Sequence, residues 1–219
     1  MQLTIIEARN LFDSNSYLLA GDGGFVLIDT GVARRRKAVD DALVSVGCRP
    51  GDLRLIILTH AHTDHAGNCA HLRESYRAPI GMHEGDAAKA ERGDMFWRPQ
   101  GLTPSMKVAK AMTALAGIAS FDPFAPDVLL ADGQDLAEYG LAATVHHLPG
   151  HSPGSICVLT REGDFFCGDL FTSTRGPQRN SIIDVAADYE ASVARLGDLS
   201  IRMVYPGHGR PFRPDELME

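Results

Sequence analysis

The chain reads as an α/β (α+β) sandwich, two sheets packed face to face with helices outside, on three observations. Hydrophobic residues make up 44% and charged residues 22% of its 219 residues, a globular balance with enough apolar surface for a sizeable core. Each half of the chain runs in the order strands, helix, strand. The run "LRLIILTH" from Leu53 is continuously apolar, as expected of a strand buried on both faces. No composition break divides the chain, which predicts one domain over residues 1–219.

The elements follow in order. "LTIIEA", "SYLLAG" and "FVLIDTG" are short apolar runs separated by turn residues, including "GDGG" at 21–24, and predict a strand meander. A helical pattern spans about Val32 to Val46, and the buried strand from Leu53 comes next. The residues after "DHAGN" predict a helix to about Tyr76, then a short strand near Pro79 to Met82. From about 84 to 126 lies a helical insertion carrying Met95, Phe96, Trp97, Met106, Phe121 and Phe124. These residues either pack the helices onto the sandwich or form an apolar lid over a pocket; the lid reading puts Phe96 and Trp97 in that pocket. "VLLADGQDL", "LAATVHHL", "SICVLT" and "DFFCGD" are four strand candidates for the second half. A helix from about Val185 to Leu196 and the strand "RMVYPG" complete it.

Composition narrows the function. A formal net charge of −7 argues against a nucleic-acid surface, because phosphate binding needs clustered Lys and Arg. The basic run in "ARRRKAVDDAL" is followed by acids at helical spacing and reads as a solvated helix face. No segment is apolar for long enough to span a bilayer, and "MQLTIIEARN" lacks the features of a secretory signal, so a cytoplasmic location is expected. The cysteines, Cys48, Cys69, Cys157 and Cys167, form no C-x-x-C pair and are expected as buried, reduced thiols.

The chemistry is concentrated in "LTHAHTDHAGN", residues 58–68, at the end of the buried strand. A lone histidine is usually a packing or surface residue, but His60, His62, Asp64 and His65 in a His-x-His-x-Asp-His spacing point to coordination. Alternation along an extended loop puts His60 and His62 on one side, and Asp64 and His65 after the bend reach a second ion. Two ions need more ligands. "PGHSPGS" offers His151, "CGDL" offers Asp169 and "YPGHG" offers His208, each after an apolar run and a glycine. His60, His62 and His151 would then hold one ion and Asp64, His65 and His208 the other. Asp169 would bridge the two, with a water or hydroxide completing the bridge.

These motifs, with "FVLIDTG" and "ADGQDL" in the same order, resemble the metallo-β-lactamase superfamily from about Ser14 to Gly209. The resemblance implies a four-layer αββα sandwich of two mixed sheets, two divalent ions (zinc first, iron or manganese as alternatives), and Asp29 as an aspartate supporting the metal loops. His146 or His147 could lie near such a site, while His71 and His83 are taken as structural or surface residues. Two ions about 3.5–4 Å apart would activate a shared water for hydrolysis, with Asp64 orienting it or moving a proton.

The branch it most resembles is glyoxalase II-like, although only Gly209 to Glu219 follow the last ligand, where glyoxalase II carries a helical region that helps bind glutathione. An aspartate at position 169 argues against true β-lactamases. Thr172, a pocket candidate, stands where many quorum-signal lactonases place a tyrosine. The expected activity is hydrolysis of a small ester, thioester or lactone. Rivals are a mononuclear iron persulfide dioxygenase, with His60, His151 and Asp169 as ligands, a quorum-signal-type lactonase and a non-catalytic metal-stabilised module. The expected partner is a small-molecule substrate, with no nucleic acid or membrane and at most a second copy in a homodimer.

Overall fold

The computed structural model describes residues 2–10, 13–115 and 117–217. The meander forms as β1 (Gln2–Ile6), β2 (Ser16–Gly21) and β3 (Gly24–Ile28), paired antiparallel in sequence order. A short 3-10 turn leads into α1 (Arg36–Ser45), which buries Val39 and Leu43 one helical turn apart. The continuous run becomes β4 (Leu53–Ile57), parallel to β3. After it come α2 (Thr63–Ala66), α3 (Cys69–Tyr76), β5 (Ile80–Met82), α4 (Glu84–Arg92) and α5 (Pro104–Leu115).

Next is β6 (Val128–Leu129), which differs from expectation in length and place. It closes the first sheet, parallel to β5, in the order β1-β2-β3-β4-β5-β6. Asp127 fixes it there by accepting from the Ile80 N–H at 2.9 Å, and the following Asp-Gly turn stops the strand after two residues. The second sheet contains β7 (Ala143–His147), β8 (Ile156–Thr160), β9 (Asp164–Ser173) and β10 (Gln178–Arg179). After α6 (Ala186–Ala194), β11 (Met203–Gly209) joins it parallel to β9. Both sheets mix parallel and antiparallel pairs, as the αββα class requires.

Strand alternation divides the core. Leu19, Val26, Ile28 and Leu55 face inward to meet Val145, Val158 and Phe166 of the second sheet. Leu18, Leu27 and Ile56 face outward beneath α1, α3 and α4. On the far side, Phe165, Cys167 and Val204 pack against Tyr189 of α6. No helix among the described residues is long and apolar enough to cross a membrane.

The insertion divides as well. Ala90 of α4 and the rings of Phe121 and Phe124 are buried in the outer core of the first sheet, so both ends of 84–126 pack the sandwich. Only its middle overhangs a cavity. There α5 buries no residue of its own.

Candidate metal centre

All seven proposed ligands converge where the strands of both sheets end. His60, His62, Asp64 and His65 come from the loop and first turn after β4, and His151 from the loop after β7. Asp169 and His208, expected in loops past their strands, instead lie within β9 and β11. The pairing of those strands slips at Pro206 and again before His208, which turns both ligands toward the site. Gly207 is required by close approach: a Cβ there would stand 2.5 Å from Asp169 Oδ1 and 2.7 Å from His65 Cε1.

His151 Nε2 lies 3.1 Å from both His60 Nε2 and His62 Nδ1. His208 Nε2 lies 3.2 Å from Asp64 Oδ2. Asp169 stands between the groups, with Oδ1 3.4 Å from His65 Nε2 and Oδ2 3.5 Å from the Nε2 atoms of His151 and His208. Ligand atoms around a tetrahedral ion with bonds of about 2.0–2.1 Å are roughly 3.3–3.4 Å apart, so these spacings fit metal coordination. His65 Nε2 and Asp169 Oδ1 are buried and make no hydrogen bond of good geometry to any described residue, which fits lone pairs reserved for an ion.

Backbone and carboxylate partners hold the imidazoles in the coordinating orientation. His151 Nδ1 donates to the Ile182 carbonyl at 2.7 Å, leaving Nε2 free to coordinate. Asp29 Oδ2 stands 2.8 Å from His65 Nδ1, while its Oδ1 accepts from the Thr59 N–H at 2.8 Å. Asp29 thus bonds within the segment 59–65 from a left-handed conformation with φ of 57°.

The two halves differ electrostatically. Burial, reinforced by His65, His62 and His151, keeps His60 well below the usual imidazole value. Burial and His151 push His62 down too, so both can coordinate as neutral rings. Burial opposes ionisation of Asp169, but His208 and His65 outweigh it and hold its carboxyl well below the usual range. Burial would likewise lower His208, yet Asp169 and Asp64 raise it to about 10. His60 and His62 are thus held neutral, while in the other half the carboxylates of Asp64 and Asp169 favour the charged form of the imidazoles they face.

Above the ligands lies a cavity of about 400 Å³. His62, Asp64, His151, Asp169 and His208 are among its polar lining residues, and Met95, Phe96, Met106, Ala109, Ile118 and Ile182 among its apolar ones. Arg98 and Asp184, joined by an ion pair, stand at its edge. Phe96 is therefore at the cavity, but the other two pocket candidates are elsewhere. Trp97 packs under the Arg92 guanidinium, 4.2 Å from ring centroid to Cζ. Thr172 donates to the His208 carbonyl at 3.3 Å within the β9–β11 pair.

His71 pairs with Asp40, and His83 stacks on His147 at 3.6 Å while capping α4. His147 Nε2 meets the Pro153 carbonyl, and His146 is half-buried beside Asp132 and Arg195, so neither joins the ligands. Sequence reasoning missed Asp86, whose Oδ2 accepts from the Ala61 N–H and from Ser152 Oγ, and Asn15, whose Nδ2 donates to the carbonyls of Pro206 at 3.0 Å and Gly209 at 2.8 Å. The one available signal for Asn15 was the polar cluster Ser14, Asn15 and Ser16 at the entry to an apolar strand.

Comparison with known proteins agrees with this geometry. The family model described as metallo-beta-lactamase superfamily matches residues 9–208. A hydroxyacylglutathione hydrolase of Anaeromyxobacter dehalogenans is 32% identical over 200 residues, 90% of this chain and 61% of that protein, so the chain spans under two thirds of its length. The acyl-coenzyme A thioesterase MBLAC2 of Gallus gallus is 30% identical over 223 residues, 93% of this chain and 75% of that protein. Among solved structures, TTHA1623 in a di-iron-bound form superposes with a TM-score of 0.69 at 29% identity, covering 97% of this chain and 94% of that one.

Proposed function

Because the chain belongs to the metallo-β-lactamase superfamily and places an apolar-walled cavity directly over its seven clustered ligands, we propose that it hydrolyses small thioesters in a metal-dependent reaction. The carrying observation is that one cavity is lined both by proposed ligands and by Met95, Phe96, Met106 and Ile182. An acyl chain seated on the apolar residues would bring its carbonyl to the proposed ligands. Two relatives named for an acylglutathione and for acyl-coenzyme A, both thioesters, support that choice over an oxyester or lactone.

His60, His62 and His151 would hold one ion and Asp64, His65 and His208 the other, with Asp169 between them. Zinc is the expected metal, and iron or manganese suits the same donors. When bound, such a pair supplies hydroxide at neutral pH and polarises the carbonyl under attack. Asp64, which lines the cavity, would orient the attacking water and carry its proton toward the leaving group. The side chains of α5 exclude water from the acyl group while Arg98 and Asp184 hold the neighbouring loops together.

The test is elemental analysis of the purified chain beside a panel of acyl-glutathione, acyl-coenzyme A, lactone, β-lactam, phosphodiester and persulfide substrates. Thioester turnover that a chelator abolishes and added metal restores is the expected result. One iron per chain with oxygen uptake on persulfide, or a metal-loaded chain inert toward every thioester, would overturn the proposal.

A further inference from the structure

We propose that Asp86, on the first turn of α4, is a positioning residue for the trihistidine half of the centre. Its Oδ2 accepts from the Ala61 N–H at 3.0 Å, the peptide between His60 and His62. The same oxygen accepts from Ser152 Oγ at 2.7 Å, next to His151. One carboxylate oxygen therefore ties together the two loops whose imidazoles must meet within 3.1 Å. The other oxygen faces Lys89 Nζ at 3.0 Å, and Asp86, Lys89 and Ser152 are all buried.

A buried carboxylate with a buried ammonium is a costly arrangement unless geometry makes use of it, since apolar residues of similar volume would pack a helix onto this core as well. The backbone shows what the arrangement achieves. A Cβ on Gly154 would lie 2.5 Å from the Asp86 nitrogen, and one on Gly85 would lie 2.7 Å from the Pro153 carbonyl oxygen. The first turn of α4 and the loop 150–155 are thus in backbone contact through two glycines, close enough for a short aspartate to reach Ser152. A Glu at 86 would overshoot.

Asp86 accepts two hydrogen bonds through Oδ2, so its role divides into hydrogen-bonding and charge parts. Asp86→Ala removes both. Asp86→Asn combined with Lys89→Met keeps an acceptor oxygen toward Ala61 and Ser152 and removes the ion pair. If positioning is the role, the double variant recovers what the alanine variant loses.

The inference rests on the metal-centre reading above, and the experiment separates the two. The full chain, stripped by chelation, is titrated with Zn²⁺ against a chromophoric competitor, with circular dichroism confirming the fold of each variant. Asp86→Ala is expected to weaken one of the two Zn²⁺ affinities by about 10–100-fold and leave the other near wild type, with the double variant recovering most of the loss. Ser152→Ala, which removes only one of the two bonds, is expected to show a smaller loss at the same ion and serves where Asp86→Ala fails to fold. Wild-type affinity for both ions in Asp86→Ala or in Ser152→Ala overturns the inference alone, as does an equal loss at both ions. A wild-type chain that takes up no Zn²⁺ overturns the metal-centre reading and the inference together.

Discussion

At the scale of single residues, the centre depends on atoms that orient ligands as much as on the ligands. Asp29 accepts from Thr59 and faces His65 Nδ1, so an amide in its place would set a donor against a donor. Asn tolerates the left-handed backbone at this position at least as well as Asp, so the change tests the hydrogen bonds rather than the turn. Asp29→Asn is expected to weaken metal binding about 10–100-fold, measured by chelator competition. Asp64 allows a finer test. A thiolate leaves with little help from a proton, whereas an alkoxide needs one. Asp64→Asn should therefore slow hydrolysis of an oxyester more than that of the matching thioester, and an unchanged ratio of the two rates would remove its proton-carrying role. The cluster of proposed ligands was legible because four of them share one six-residue spacing. Asn15 was not, because it acts on a carbonyl 191 positions away and no local pattern encodes such a contact.

At the scale of elements, the sequence exposed periodicity but not partnership. "LRLIILTH" announced a strand buried on both sides and became β4, at the centre of its sheet. "VLL" carried no sign of which sheet it would join, and β10, two exposed residues long, offered no apolar pattern at all. The helical insertion was ambiguous because its apolar residues divide: Phe121 and Phe124 are core, while Met95, Phe96 and Met106 line the cavity. The segment over the cavity is tied to the body by Arg98 and Asp184, and the backbone of Asp184 bonds to the Gly150 carbonyl at 2.7 Å, beside His151. Arg98→Met should loosen that tie and raise KM roughly threefold to tenfold with metal content unchanged, read from steady-state kinetics and elemental analysis.

At the scale of the whole molecule, burial governs the chemistry of the thiols as well. All four cysteines are buried and free. Burial pushes Cys48 up to about 11 and Cys69 up to about 12, and raises Cys157 and Cys167 strongly. A thiolate is the reactive form, so iodoacetamide at pH 8 should leave the native chain almost unlabelled and modify all four positions after unfolding, as counted by mass spectrometry. Fast labelling of the native chain would contradict the burial described.

Each half of the centre draws ligands from both sheets: His60 and His62 meet His151, and Asp64 and His65 meet His208. A pair of paramagnetic ions held there would therefore act as a gauge of sandwich opening. Their magnetic coupling would fall as the two sheets part and so would report the spacing between the sheets.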